Sequence, residues 1–288
     1  MYFVVFLALA LTQSLTYSKG QNISPAYEGW EISDGARYFV FGYMNRNWEE
    51  EIDIPVGPDN SFNIGAADQG QPTHFLPRRN RFVFRVRVPA GFTEKDELIW
   101  TVTAHGKTEK AYASLRMDYV IDDVVKASET GALGAGSSSP EVRGNRPPGL
   151  RISEIPQTVK VGQPVNLVAD VEDDGIPKRK ANESSVRLAL LPPTRITVGK
   201  NLGLHISWFV YRGSGKAAFD PPQVKAWEDT RAGANSPWAP VWVPDPIPAD
   251  GKITTRVVFE QPGTYILRCR ADDGALTTDK EITIVVVP

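Results

Sequence analysis

Residues 259–287 read FEQPGTYILRCRADDGALTTDKEITIVVV, and this stretch decides the fold class. Thr264 to Ala271 and Glu281 to Val287 have the β-rich composition of strands, with a turn at Asp272-Asp273-Gly274 between them. Successive strand side chains point to opposite faces, so Tyr265, Leu267 and Cys269 turn inward together. That makes the single cysteine a small core residue and leaves it without a disulfide partner.

The same grammar extends back to Leu150. Arg151 to Ser153, Thr158 to Val161, Val165 to Val171, His205 to Tyr211 and Thr254 to Phe259 read as further strands. Three stretches, VGQPVNLVADVEDDG at 161–175, SWFVYRG at 207–213 and the 259–287 run, resemble a bacterial immunoglobulin-like or PKD-type β-sandwich. The resemblance covers most of 150–288. It implies Trp208 as the core tryptophan, Tyr265 as a tyrosine-corner residue, and an adhesion or spacing role without a particular ligand.

Before Leu150 the composition changes. Ser128 to Gly149 reads SETGALGAGSSSPEVRGNRPPG, without aromatics and with little to bury, so residues 128–149 are expected to form a flexible linker. Residues 21–127 are strand-like again. Tyr38 to Phe41, Leu98 to Thr103 and Tyr112 to Leu115 are candidate strands. In Arg81 to Val88, arginine alternates with apolar residues, which predicts Phe82, Phe84, Val86 and Val88 inward with Val83 as an interruption. No long 3.6-residue apolar period occurs. The expected class is all-β, two tandem β-sandwich domains joined by a Gly/Ser/Pro linker. The stretches NRNWEEEIDIPVGPDN (45–60) and DQGQPTHFLPRRNRFVF (68–84) resemble uncharacterised secreted bacterial β-sandwich proteins that couple such a domain to an immunoglobulin-like one. That family implies an architecture and no activity.

Residues 1–18, MYFVVFLALALTQSLTYS, carry no charged side chain. They read as a signal peptide cleaved before Lys19 or as an uncleaved N-terminal anchor, about 17–25 residues being needed to span a bilayer. Either way the expected location is exported, periplasmic or extracellular, with membrane contact through residues 1–18 in the second case.

Composition removes other classes. Lys plus Arg total 32 and Asp plus Glu 34 over 288 residues, a formal charge of -2, which argues against a nucleic-acid partner. Three histidines stand apart, and no hydrolase, zinc-protease or nucleotide-loop motif occurs, so no catalytic residue and no cofactor is expected.

Three features remain as candidate contact sites. Residues 213–251 form a long insert with Trp227, Trp238 and Trp242 among prolines; these aromatics either cover their own sandwich, anchor a protein partner or stack on carbohydrate. Arg78, Arg79 and Arg81, with Arg85 and Arg87, make a basic strip, and Glu49, Glu50, Glu51 and Asp53 an acidic one; each either docks a partner of opposite charge or is paired at the surface. Asp173-Asp174-Gly175 and Asp272-Asp273-Gly274 end two strands whose loops share one end of a sandwich, and with Asp279 they could ligate Ca²⁺ or simply form turns. The function these features imply is a non-enzymatic structural or interaction protein. It would be an accessory subunit on a larger membrane-associated or envelope assembly, a photosynthetic reaction-centre/light-harvesting complex being one example. The alternatives are a carbohydrate-binding or adhesion protein, or an enzyme with an unrecognised site.

Overall fold

The computed structural model describes residues 17–129, 144–178, 203–213, 215–223 and 246–288. The chain is all-β. In the first domain, β1 (Ile23–Ser33), β2 (Ala36–Asn45) and β6 (Arg78–Arg87) form one antiparallel sheet. It packs on a second made of β4 (Asn60–Phe62), β7 (Leu98–Ala104) and β8 (Lys107–Ala113). Two short strands, β3 (Ile52–Asp53) and β5 (His74–Phe75), pair beside them. A single helix turn pair, α1 (Asp123–Glu129), follows.

Trp100 is the centre of this core. It is fully buried, with Phe84 edge-on at 4.9 Å and Phe41, Phe62 and Phe75 within 6.3 Å. Its indole N–H donates to Asn60 Oδ1 at 3.0 Å, so the one polar atom of the ring is satisfied. Asn60, equally buried, donates in turn to the carbonyls of Ile54 at 3.0 Å and Pro72 at 2.8 Å. The aromatic core thereby fixes the loop 68–73.

The second domain sets β13 (Ala217–Asp220), β14 (Lys252–Phe259), β11 (Val165–Glu172) and β9 (Gly149–Ile152) against β10 (Thr158–Lys160), β16 (Thr277–Val287), β15 (Gly263–Asp272) and β12 (His205–Arg212). Read as A to G, the strands fall as D-E-B-A over C-F-G, the immunoglobulin-like order. Trp208, Tyr265, Leu267 and Cys269 are buried between the sheets. The Tyr265 hydroxyl donates to the Gln261 carbonyl at 3.0 Å, closing a tyrosine corner.

One strand departs from its expected facing. Phe41 pairs with Phe84 and Tyr43 with Asn80, so Arg81, Phe82 and Val83 all stand opposite Gly42. The extra residues form a bulge in which Phe82 adopts φ 49°. Val83 is therefore buried and Phe82 only half-buried, the reverse of strict alternation. A side chain at position 42 has no room: its Cβ would lie 2.0 Å from Glu28 Oε1 and 2.4 Å from the Asn80 carbonyl.

Candidate functional site: the junction of the two sandwiches

β12 does not end at its own sandwich. Tyr211, buried, is counted within the hydrophobic core of the first domain. Its carbonyl accepts from Thr73 N at 3.3 Å and its hydroxyl donates to the Gly70 carbonyl. Arg212 grips Asp68 through two bonds of 2.8 Å each and donates from Nε to the Gln71 carbonyl at 2.9 Å. A planar guanidinium matches a carboxylate in this fork geometry, and Arg212 holds the Asp68 carboxyl down at about 2. Gly213 N donates to Thr73 Oγ1 at 3.2 Å.

Arg268, 5% exposed, completes the junction. It points outward from β15, stacks 3.5 Å over the Tyr211 ring, donates to the Val83 carbonyl and pairs with Glu281. Cation–π contact is strongest where the cation is desolvated, as here. The Val83 carbonyl that accepts from this guanidinium belongs to the bulge at 81–83. Arg270, one pleat away, pairs with Asp279 at 2.8 Å. The register places Arg268 opposite Glu281 and Arg270 opposite Asp279, a cross-strand ladder of opposite charges.

Beside the junction lies a cleft of about 920 Å³. One wall is the outer face of the β1–β2–β6 sheet and the other the outer face of β15 and β16. Its cations are already spoken for: Arg79 by Glu28 at 2.7 Å, Arg81 by Glu129, Arg85 by Glu31 at 3.4 Å and Lys126 by Glu31. Glu28 is 9% exposed, and burial raises its carboxyl against the pull of Arg79. Charges paired this way hold walls in position and leave little net field to attract a free ion.

The expected contact residues fall as follows. Arg79 and Arg81 line the cleft, while Arg78 stacks 4.3 Å over the Trp48 ring at another edge of the domain. Trp227, Trp238 and Trp242 lie outside the described residues. The acidic strip is engaged locally, Glu50 with His105 at 3.1 Å, and Glu51 and Asp53 with His74 at 3.1 and 2.7 Å.

The calcium candidates share one end of the second sandwich, as the strand reading requires. Arg146 N donates to Asp174 Oδ2 at 3.0 Å and Asn145 to Asp273 Oδ2 at 3.1 Å, so the residues entering β9 bridge both loops. Each loop also closes on itself. Asp173 accepts from Gly175 N at 2.9 Å, Asp272 from Gly274 N at 2.7 Å, and Asp273 from Ala275 and Leu276 N at 2.6 and 2.7 Å. Asp279 faces Arg270 rather than these loops. Among the described residues no three His, Cys, Asp or Glu side chains are grouped to hold a metal ion.

Groups capable of chemistry are held structurally. Burial pushes the Cys269 thiol far above its usual range, which removes thiolate character. His205 shares a hydrogen bond of 3.0 Å with the Gly203 carbonyl. Burial of His74 favours its neutral form, but Asp53 and Glu51 outweigh that and raise it to about 9. A raised imidazole pKa means stability is fully present below the unfolded value of about 6.5 and is lost as pH rises through about 9. The melting temperature is therefore expected to fall between these limits, and His74→Gln to remove that slope, as followed by thermal melts across pH.

Sequence reading missed Tyr211, Arg212 and Arg268. Arg268 and Arg270 stand opposite Glu281 and Asp279 on the neighbouring strand, a pairing that a solvated sheet face carries equally well, so nothing local marked them as buried.

Neither a protein-family model nor a curated protein sequence matches the chain. Solved structures give distant likenesses. A conjugative transposon lipoprotein from Bacteroides eggerthii is 11% identical over 48% of this chain and 96% of its own, with a TM-score of 0.28. The PKD domain of a peptidase from a Thermoplasmatales archaeon is 13% identical over 50% and 99%, TM-score 0.26. An adhesin of Yersinia pseudotuberculosis is 10% identical over 92% and 59%, TM-score 0.24. Likeness at this level says nothing of what the chain binds. No helix among the described residues is long and apolar enough to cross a membrane.

Proposed function

We propose that this chain is an exported, non-catalytic interaction protein whose two sandwiches act as one rigid body, docking as an accessory subunit on a larger membrane-associated or envelope assembly. The observation that carries this reading is the junction, where Arg212 and Arg268 tie residues more than 140 positions away into one network. A partner that contacts both sandwiches meets a preformed surface and loses less conformational freedom on binding. The histidines and the cysteine, tied into the fold, leave the junction a mechanical role.

The test is recovery of the chain from detergent-solubilised membranes. Co-purification with a larger assembly is expected, and recovery alone in the soluble fraction overturns the reading. Trp238→Ala and Trp242→Ala are expected to leave the melt unchanged and weaken co-purification at least tenfold, since an interface hot spot is worth about 2 kcal/mol or more. Glycan binding abolished by Trp227→Ala or Trp242→Ala, without co-purification, would establish the carbohydrate alternative instead.

A further inference from the structure

The chain enters the first domain without a spacer. Tyr17 O accepts from Trp48 N at 3.0 Å, and Ser18 O accepts from Glu49 and Glu50 N at 3.0 and 3.2 Å. Gly20 N donates to Glu50 Oε2 at 2.7 Å, and Gln21 exchanges bonds of 2.7 and 2.9 Å with the buried Asn47 side chain. Asn47 is itself held by Asn45, whose amide donates to the carbonyls of Glu50 and Phe75. Residues 17–22 are thus bonded to the loop 46–50 and belong to the folded domain. Cleavage before Lys19 would remove the acceptors that order that loop.

Upstream, residues 1–11 are apolar and only Thr12 to Thr16 separate them from Tyr17. Five residues reach at most about 20 Å when extended. Whatever apolar phase takes up residues 1–11 must lie that close to the end of the domain carrying Tyr17 and the loop 46–50. That end presents Tyr17, 49% exposed, and half-buried Trp48 with Arg78 stacked on it, beside exposed Lys19 and Arg46; the same loop carries exposed Glu49 and half-buried Glu50, the latter paired with His105. Aromatic rings with lysine and arginine are the side chains that settle at a headgroup layer, the rings at its apolar boundary and the cations on phosphate.

We propose that this end of the first domain, Tyr17, Lys19, Arg46, Trp48 and Arg78, rests on a phospholipid headgroup layer. The proposal rests on the membrane-associated reading above and adds its orientation: β1 runs away from the membrane, with Ile32 about 30 Å further along the strand.

The buried Cys269 leaves single-cysteine labelling clean. The full chain carrying Arg46→Cys, Lys19→Cys or Ile32→Cys would be labelled with a fluorophore and reconstituted into phosphatidylcholine–phosphatidylglycerol vesicles holding a headgroup nitroxide lipid. Quenching at positions 46 and 19 is expected to exceed that at position 32 at least threefold. Equal quenching at all three overturns the proposal, and so does a native chain whose mature N-terminus is Lys19. Equal quenching with co-purification intact removes the lipid face alone and leaves the docking reading standing.

Discussion

Replacing Arg268 with alanine is expected to lower stability by about 3 kcal/mol and to uncouple the two sandwiches. The guanidinium is buried, stacks on Tyr211, donates to the Val83 carbonyl and pairs with Glu281. Its loss strands a buried carbonyl and removes the cation from the Tyr211 ring, effects worth about 1–3 and about 2 kcal/mol before relaxation. Glu281 is 41% exposed and rehydrates, which keeps the loss below that of a fully buried broken pair. Because the network joins two bodies, the single melt should split into two transitions, and the radius of gyration from X-ray scattering should rise. Arg268→Met keeps much of the stem packing and should lose less. A wild-type melt and unchanged scattering for Arg268→Ala would mean that the junction is held by other contacts.

Trp100→Ala is expected to cost about 3–5 kcal/mol, the range for removing a buried aromatic, measured by urea unfolding. Four phenylalanine rings lose a shared neighbour, and Asn60 Oδ1 loses the indole donor. The effect should travel. Asn60 anchors the Pro72 carbonyl, and the same loop supplies Asp68, Gly70, Gln71 and Thr73 to the second sandwich. Proteolysis within residues 64–73 should accelerate in Trp100→Ala before either sandwich unfolds. Trp100→Phe, which keeps one aromatic ring but loses the indole N–H and part of the buried ring volume, should reproduce part of that acceleration with a smaller stability loss than alanine. Protection of the loop in both variants would mean that Asn60 holds it without the tryptophan.

Alternation at 265–271 and the turn dipeptides could be read directly, because strand facing and turn chemistry are set within a few residues. The inward cysteine followed from that local geometry, while the core Trp208 and the tyrosine corner at Tyr265 were implied by the resemblance to an immunoglobulin-like sandwich. Of the expected linker 128–149, residues 130–143 lie outside the described residues, Ser128 and Glu129 close α1, and Asn145 and Arg146 are bonded to the second sandwich. β1 stayed illegible, since Pro25 and Gly29 interrupt its pattern and the strand is made by its register with β2. The facing of Phe82 and Val83 was likewise decided by tertiary structure, where Gly42 and the buried Glu28 leave space for a bulge and for nothing larger. The junction lay furthest out of reach. Arg212 meets Asp68 across 144 positions and Arg268 meets Val83 across 185. An arginine on the outward face of a strand looks the same in sequence whether water or a second domain covers it. Only the approach of the two sheets settles which, because desolvation and pairing are properties of the assembled surfaces rather than of the strand that carries the charge.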